Sequence, residues 1–401
     1  MPRRYQVALA TRHWQELEQK YYMRTFNRQP VVLVRGEGAR VWDEEGRSYL
    51  DMVAGLAVNV LGHCHPAVVE AITNQARRLI HTTNLYYTTP QLELAELLIE
   101  NSCADRIFFA NSGAEANEGA IKLARKWGHL HRNGAYRIIT ATNSFHGRTL
   151  ATLAATGQPK YHKPFAPMPD GFTSVEFNDL DALKAATGPE TCAVMLEVVQ
   201  GESGVHLGDH DYLVGVRRWC DEQGLLLIFD EIQTGLGRTG KFLAFEHHGI
   251  EPDVFTLAKG LAGGVPIGAF LAKESCSVLT AGDHGSTFGG GPLACAAGVA
   301  TVKTIFDQNL AAHSAELGTY ALEKLRALQA KHDVIEQVRG LGLMIAFDLK
   351  TETAPSLVSD ALRQGLILNA TGPKTIRMVP PLIIGKAEVD EAVDTIDRLL
   401  A

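Results

Sequence analysis

Short apolar runs that stop at a glycine or a charge, separated by stretches of helical periodicity, set the pattern from about residue 105 to 290. Arg106 to Ala110, Arg137 to Ala141, Ala193 to Val199, Leu225 to Phe229, Val254 to Ala258 and Gly268 to Ala272 read as strands. Between them, Glu115 to Trp127, Thr149 to Ala155 and Tyr212 to Gln223 place apolar side chains at helical spacing. Several of the strands are apolar throughout rather than alternating, which suits strands covered on both faces. Strand and helix in alternation give a mainly parallel sheet between two layers of helices, an α/β fold.

The flanks read differently. Residues 1 to 30 are polar and aromatic, with Trp14, Leu17 and Tyr21 on one helical face. Alternation broken by Gly36, Gly38 and Gly46 then predicts a small antiparallel meander, with Asp43 to Gly46 as a turn whose charges are solvated. Pro66 opens a helix running to about Leu79, and Gln91 to Ile99 forms another. From about residue 295 two long helices, Ala296 to Phe306 and Ala311 to Lys331, precede strands at Val334 to Arg339 and Leu343 to Leu349. Helices at Ser356 to Gln364 and Ala387 to Leu400 close a smaller α+β unit. The expected division is an arm and meander (1–60) belonging to the small domain, a large domain (61–294) and a C-terminal small domain (295–401).

Composition narrows the function. A chain of 401 residues exceeds one small core. A net charge of -7 argues against a general binder of nucleic acid or anionic membranes. No apolar stretch is long enough to span a bilayer, and the N-terminus lacks an apolar core of signal-peptide type. Six scattered cysteines with no C-x-x-C pair fit reduced thiols in the cytoplasm. His63-Cys64-His65 invites a metal, but neighbours on an extended chain point to opposite faces, so a structural turn is expected.

The chemistry gathers at strand ends. One buried strand delivers Asp230, and the next delivers Lys259 followed by Gly260, Gly263 and Gly264. Ligands of open α/β sheets bind at that edge. Either residue alone fits a surface ion pair or a loop lysine as well. Together they suit pyridoxal phosphate, whose aldehyde condenses with a lysine amine and whose ring nitrogen needs a carboxylate. Ser112-Gly113-Ala114 lies between strand and helix, where free N–H groups and the helix dipole favour a phosphate. By itself this turn fits an ordinary N-cap equally well.

Leu225 to Gly268, with its D-E-I-Q-T-G-L-G-R-T-G core, resembles the signature of class III (subgroup II) pyridoxal-phosphate aminotransferases. The likeness continues over nearly the whole chain. It implies a fold-type-I transferase, a homodimer with shared active sites. It gives Lys259 the cofactor attachment and proton transfer, and Asp230 the ring nitrogen. Ser112, Gly113 and Ala114 take the phosphate, Phe145 and His146 of F-H-G-R-T the ring, and Gln233 its phenolic oxygen. Thr287 reaches the partner's phosphate and Ser286 lies near the substrate. Arg148 is a substrate-carboxylate ligand, and Glu202 pairs with Arg377 as a switch that masks or frees the arginine for 2-oxoglutarate.

V-R-G-E-G at Arg35, A-V-N-V-L-G-H near Asn59 and F-H-G-R-T place the resemblance nearest the branch acting on N-acetylornithine in arginine biosynthesis. That implies amino transfer to 2-oxoglutarate, giving N-acetylglutamate semialdehyde and glutamate. Donors with a succinyl group, free ornithine or carrier-linked lysine precursors fit the same features, with Phe26 one candidate selector. A glutamate-semialdehyde aminomutase shares the fold and lysine, and a non-enzymatic cofactor-binding regulator is the rival of another class.

Overall fold

The computed structural model describes residues 11–401, so the first ten residues of the expected N-terminal arm lie outside it. The strands of the central region form one seven-stranded sheet. Its order is Arg106–Ala110, Gly268–Ala272, Val254–Leu257, Leu226–Asp230, Thr191–Leu196, Arg137–Ala141 and Phe172–Val175. Only Gly268–Ala272 runs antiparallel to its neighbours. Every residue of Leu226–Asp230 is buried, as an apolar run covered on both faces requires. Burying each such Leu, Ile or Phe side chain contributes about 1.5–3 kcal/mol.

Register decides what these strands deliver. Leu226–Asp230 pairs in parallel with Val254–Leu257, and Asp230 stands opposite Thr256. Asp230 and Lys259 therefore emerge from neighbouring strands at one sheet edge. The Gly113–His131 helix begins at the same edge after Arg106–Ala110. Its Ser112 turn approaches the antiparallel strand closely, because a Cβ on Gly268 would stand 2.2 Å from Ser112 O.

Two four-stranded sheets flank this core. Leu33–Glu37, Arg40–Asp43 and Ser48–Asp51 form the meander, and Leu366–Ile367 joins it in parallel beside Ser48–Asp51. Ile335–Leu341, Met344–Leu349, Thr375–Met378 and Asn369–Ala370 form the other, in that order. The Pro292–Asp307 and Leu310–Lys331 helices lead into it.

The meander turn departs from expectation at one residue. Asp43 is buried, not solvated. Its carboxylate accepts from Glu45 N, Arg47 N, Arg47 Nε and Tyr49 Oη. Burial alone would raise its pKa. These donors hold it below the ordinary carboxylate value instead. An acid in a turn was legible as polar, whereas the Tyr49 hydroxyl that closes over it came from the next strand. His63 is structural, its Nε2 2.8 Å from Asp51 Oδ2.

Candidate active site

A cavity of about 430 Å³ opens at the sheet edge. Ser112, Gly113, Ala114, Phe145, His146, Arg148, Asp230, Gln233 and Lys259 all line it. The structure thus brings together nine of the expected residues from loops spread over some 150 positions.

Lys259 sits at the start of a short 3-10 turn with φ +32°, a backbone region few non-glycine residues occupy. Burial, then the nearby Arg377 charge, pushes its ammonium down to about 8. A lysine so placed reaches its neutral, nucleophilic form at lower pH than an exposed lysine does.

Asp230 is buried among hydrogen-bond donors. Its Oδ2 accepts from His146 Nδ1 at 2.9 Å and from Asn117 Nδ2 at 2.8 Å, and its Oδ1 from Ile232 N at 3.1 Å. Burial opposes charge on His146, but the hydrogen bond to Asp230 and its charge prevail and raise the imidazole's pKa. Asn117 locks this arrangement, also donating to His146 O and accepting from Thr256 Oγ1. Sequence reasoning missed Asn117. The signal was an amide on the otherwise apolar buried face of the Gly113–His131 helix.

Glu197 was missed as well. It follows the Thr191–Leu196 strand inside a longer buried stretch and lines the cavity, accepting from Phe145 N at 3.1 Å. Burial pushes its carboxyl up to about 7. The signal was a lone acid inside the apolar run Ala193 to Val199, which reads as one strand.

At the anion end, Ser112 caps the helix, its Oγ accepting from Glu115 N at 3.2 Å. The first helical N–H groups, those of Gly113 and Ala114, have no intrahelical carbonyl to bind, and both residues line the cavity. The N-cap reading of this turn is observed, and it leaves these N–H groups available for a phosphate.

The two expected arginines differ. Arg148 is exposed, its guanidinium stacked 3.9 Å from the Tyr161 ring centroid and 5.4 Å from that of Phe145. Arg377 is buried on Thr375–Met378. Its Nη1 donates to Gly201 O at 2.9 Å and Gln233 Oε1 at 3.2 Å, with Glu202 Oε2 at 3.4 Å. Gln233 thus contacts Arg377 as well as the cavity. Burial lowers the Arg377 pKa, with Glu202 acting against that.

Thr287 is exposed and lies outside this cavity. Ser286 is also outside its wall, but its Oγ accepts from Asn111 Nδ2, a wall residue, at 3.1 Å. Phe26 is exposed in a separate groove beside Trp14 and Arg28.

A charge-bearing cavity with a nucleophilic lysine, a locked carboxylate and a helix N-terminus fits pyridoxal phosphate end to end. The aminotransferase class-III family model matches residues 21–400. The chain is 54% identical over 385 residues to the acetylornithine aminotransferase of Caldanaerobacter subterraneus, covering 96% of this chain and 98% of that one. It is 51% identical to that of Methanocaldococcus jannaschii, over 98% of both chains. Among solved structures, the ornithine aminotransferase of Toxoplasma gondii superposes with a TM-score of 0.94 at 34% identity, over 97% of this chain and 94% of that one. The acetylornithine aminotransferase of Elizabethkingia anophelis gives 0.88 at 35%, over 97% and 98%.

This chain belongs to the class-III aminotransferase family. It is a pyridoxal-phosphate-dependent transaminase with the fold of that class.

Proposed function

We propose that this transaminase moves the terminal amino group of N-acetylornithine to 2-oxoglutarate, giving N-acetylglutamate semialdehyde and glutamate. The observation that carries the donor is sequence identity of about half, over nearly full length, with acetylornithine aminotransferases of several organisms. The biosynthesis of arginine is the corresponding setting.

When bound, pyridoxal phosphate supplies an aldehyde for the amine and a ring that accepts the electrons of a broken C–H bond. The proposed roles follow from the site. Lys259 Nζ would hold the cofactor's aldehyde and, when free of it, would take the proton from the amine-bearing carbon of the donor and pass it to the cofactor. Asp230, held in place by His146 and Asn117, would hold a proton on the ring nitrogen. Ser112, Gly113 and Ala114 hold the phosphate, Phe145 covers the ring, and Gln233 meets the phenolic oxygen. Arg148 binds a substrate carboxylate. Glu202 masks Arg377 for the donor and leaves it for 2-oxoglutarate.

We further infer a homodimer in which Ser286 and the partner's copy of the Thr287 loop complete each site. Supporting this, Leu79, Ile80, Leu85, Tyr86, Tyr87 and Phe288 are all exposed, with Tyr87 at 94%. The segment that carries them is tied to the Thr287 loop, since Asn84 Nδ2 donates to Ser286 O and Gly289 O at 3.0 Å. The division into a large domain of 61–294 and a small one built from 1–60 and 295–401 is part of the same proposal. Among the described residues no helix is long and apolar enough to cross a membrane. The unpaired thiols favour the cytoplasm. Steady-state assays with N-acetylornithine and 2-oxoglutarate test the assignment. Product formation that needs no keto acid would point to an aminomutase instead.

A further inference from the structure

Arg148 sits against aromatic rings and meets no acceptor among the described residues. Among the described residues its guanidinium makes ring contacts, to Tyr161 at 3.9 Å and Phe145 at 5.4 Å, and no hydrogen bond or ion pair. A guanidinium attracted through its face to a π system keeps its in-plane N–H donors available. The contrast with Arg377 is direct, because the donors of that arginine are already engaged by Asn369, Gly201 and Gln233.

The shorter ring contact is to a residue outside the cavity wall. Tyr161 lies on a one-turn helix, Pro159–His162, that is fastened to the Phe145 loop. Gly157 N donates to Ser144 Oγ and Gln158 Nε2 to Ser144 O, both at 3.0 Å. His162 Nε2 bonds Thr156 O at 2.7 Å. The turn that carries the ring is therefore anchored beside an exposed, rotamer-rich side chain. Lys160 Nζ also lies near the ring, but farther away, at 4.8 Å.

We propose that Tyr161 is a positioning residue that presents Arg148, edge outward, to substrate carboxylates and so sets how tightly they are held. The proposal rests on the reading of Arg148 as a carboxylate ligand. Preorganisation of this kind lowers the ordering cost of binding and leaves the chemistry at Lys259 untouched. It therefore acts on affinity and not on turnover.

The test uses the cofactor-loaded enzyme and glutarate, an unreactive dicarboxylate, as competitor of 2-oxoglutarate. Tyr161→Leu removes the aromatic ring, Tyr161→Phe and Tyr161→Trp keep one, and Arg148→Gln removes the ligand. Tyr161→Leu should raise the glutarate inhibition constant and the KM for 2-oxoglutarate by roughly three- to thirty-fold. Its kcat should stay within about twofold of the parent. The Phe and Trp variants should retain parental affinity. A Leu variant that binds glutarate like the parent, when Arg148→Gln binds it weakly, would overturn the role of Tyr161 and leave the Arg148 reading standing. Phe or Trp variants as weak as Leu would also overturn it, and they decide the matter if Leu does not fold. Unchanged glutarate binding by Arg148→Gln would remove both readings together.

Discussion

Arg377 rests side-on against the carboxamide oxygen of Asn369, donating to it from Nε at 3.1 Å and Nη2 at 2.7 Å. Glu202, expected as its partner, lies farther off at 3.4 Å and is one-third exposed. Neutral acceptors thus hold the buried cation more closely than its carboxylate partner does. The moving part of the proposed switch is Glu202.

Two substitutions separate these parts. Glu202→Ala should cost little stability, about 1 kcal/mol or less, because the pair is long and partly solvated. It should shift preference from N-acetylornithine toward glutamate as amino donor. Asn369→Leu should instead raise the KM for 2-oxoglutarate on the order of tenfold or more, since a charged group loses two hydrogen bonds. Kinetics with both donors and the keto acid check this. A Glu202→Ala enzyme unchanged toward both donors would remove the switch.

Attachment of the cofactor should depend on pH through Lys259. Its pKa is lowered to about 8 by burial, so the ammonium form prevails below that value and the nucleophilic amine above it. The rate of cofactor uptake by apoprotein should rise with pH and level off above about 8. It is followed by growth of the visible absorption band. A rate that kept rising to the ordinary lysine value of about 10.4 would mean an unperturbed amine.

Asp230→Asn keeps the shape of the carboxylate and removes its charge. The variant should still bind cofactor but turn over more slowly, on the order of 10²–10⁴-fold. The same change takes away the anion that raises the His146 pKa, so the imidazole should titrate lower. Kinetics and NMR titration of the histidine read the two effects separately.

Tyr87→Glu combined with Phe288→Glu places charges on the exposed apolar surface. If that surface joins two copies, sedimentation should show a monomer and activity should fall with it. A doubly substituted enzyme that stays dimeric and active would move the interface elsewhere.

Much of this was legible in the chain because one physical cue repeats. Buried strands must be apolar, so a charge straight after one, as at Asp230 and Lys259, stands out. Gly268–Ala272 was placed to the residue, but its antiparallel direction was not legible, since an apolar run reads the same both ways. The Phe172–Val175 edge strand was missed because it is short and only its last residue is buried. Asn369 and Tyr161 escaped for another reason. Each is an ordinary residue in its own segment and gains meaning only from a neighbour far along the chain.

The donor half-reaction tests the central claim most directly. The cofactor-loaded enzyme is mixed, without keto acid, with N-acetylornithine, N-succinylornithine, ornithine or 4-aminobutyrate, and loss of the visible band is timed. The account predicts rapid loss with N-acetylornithine and much slower loss with the other three. Equal or faster loss with another donor would contradict the assignment, and a protein that forms no visible band with the cofactor would contradict the role of Lys259 itself.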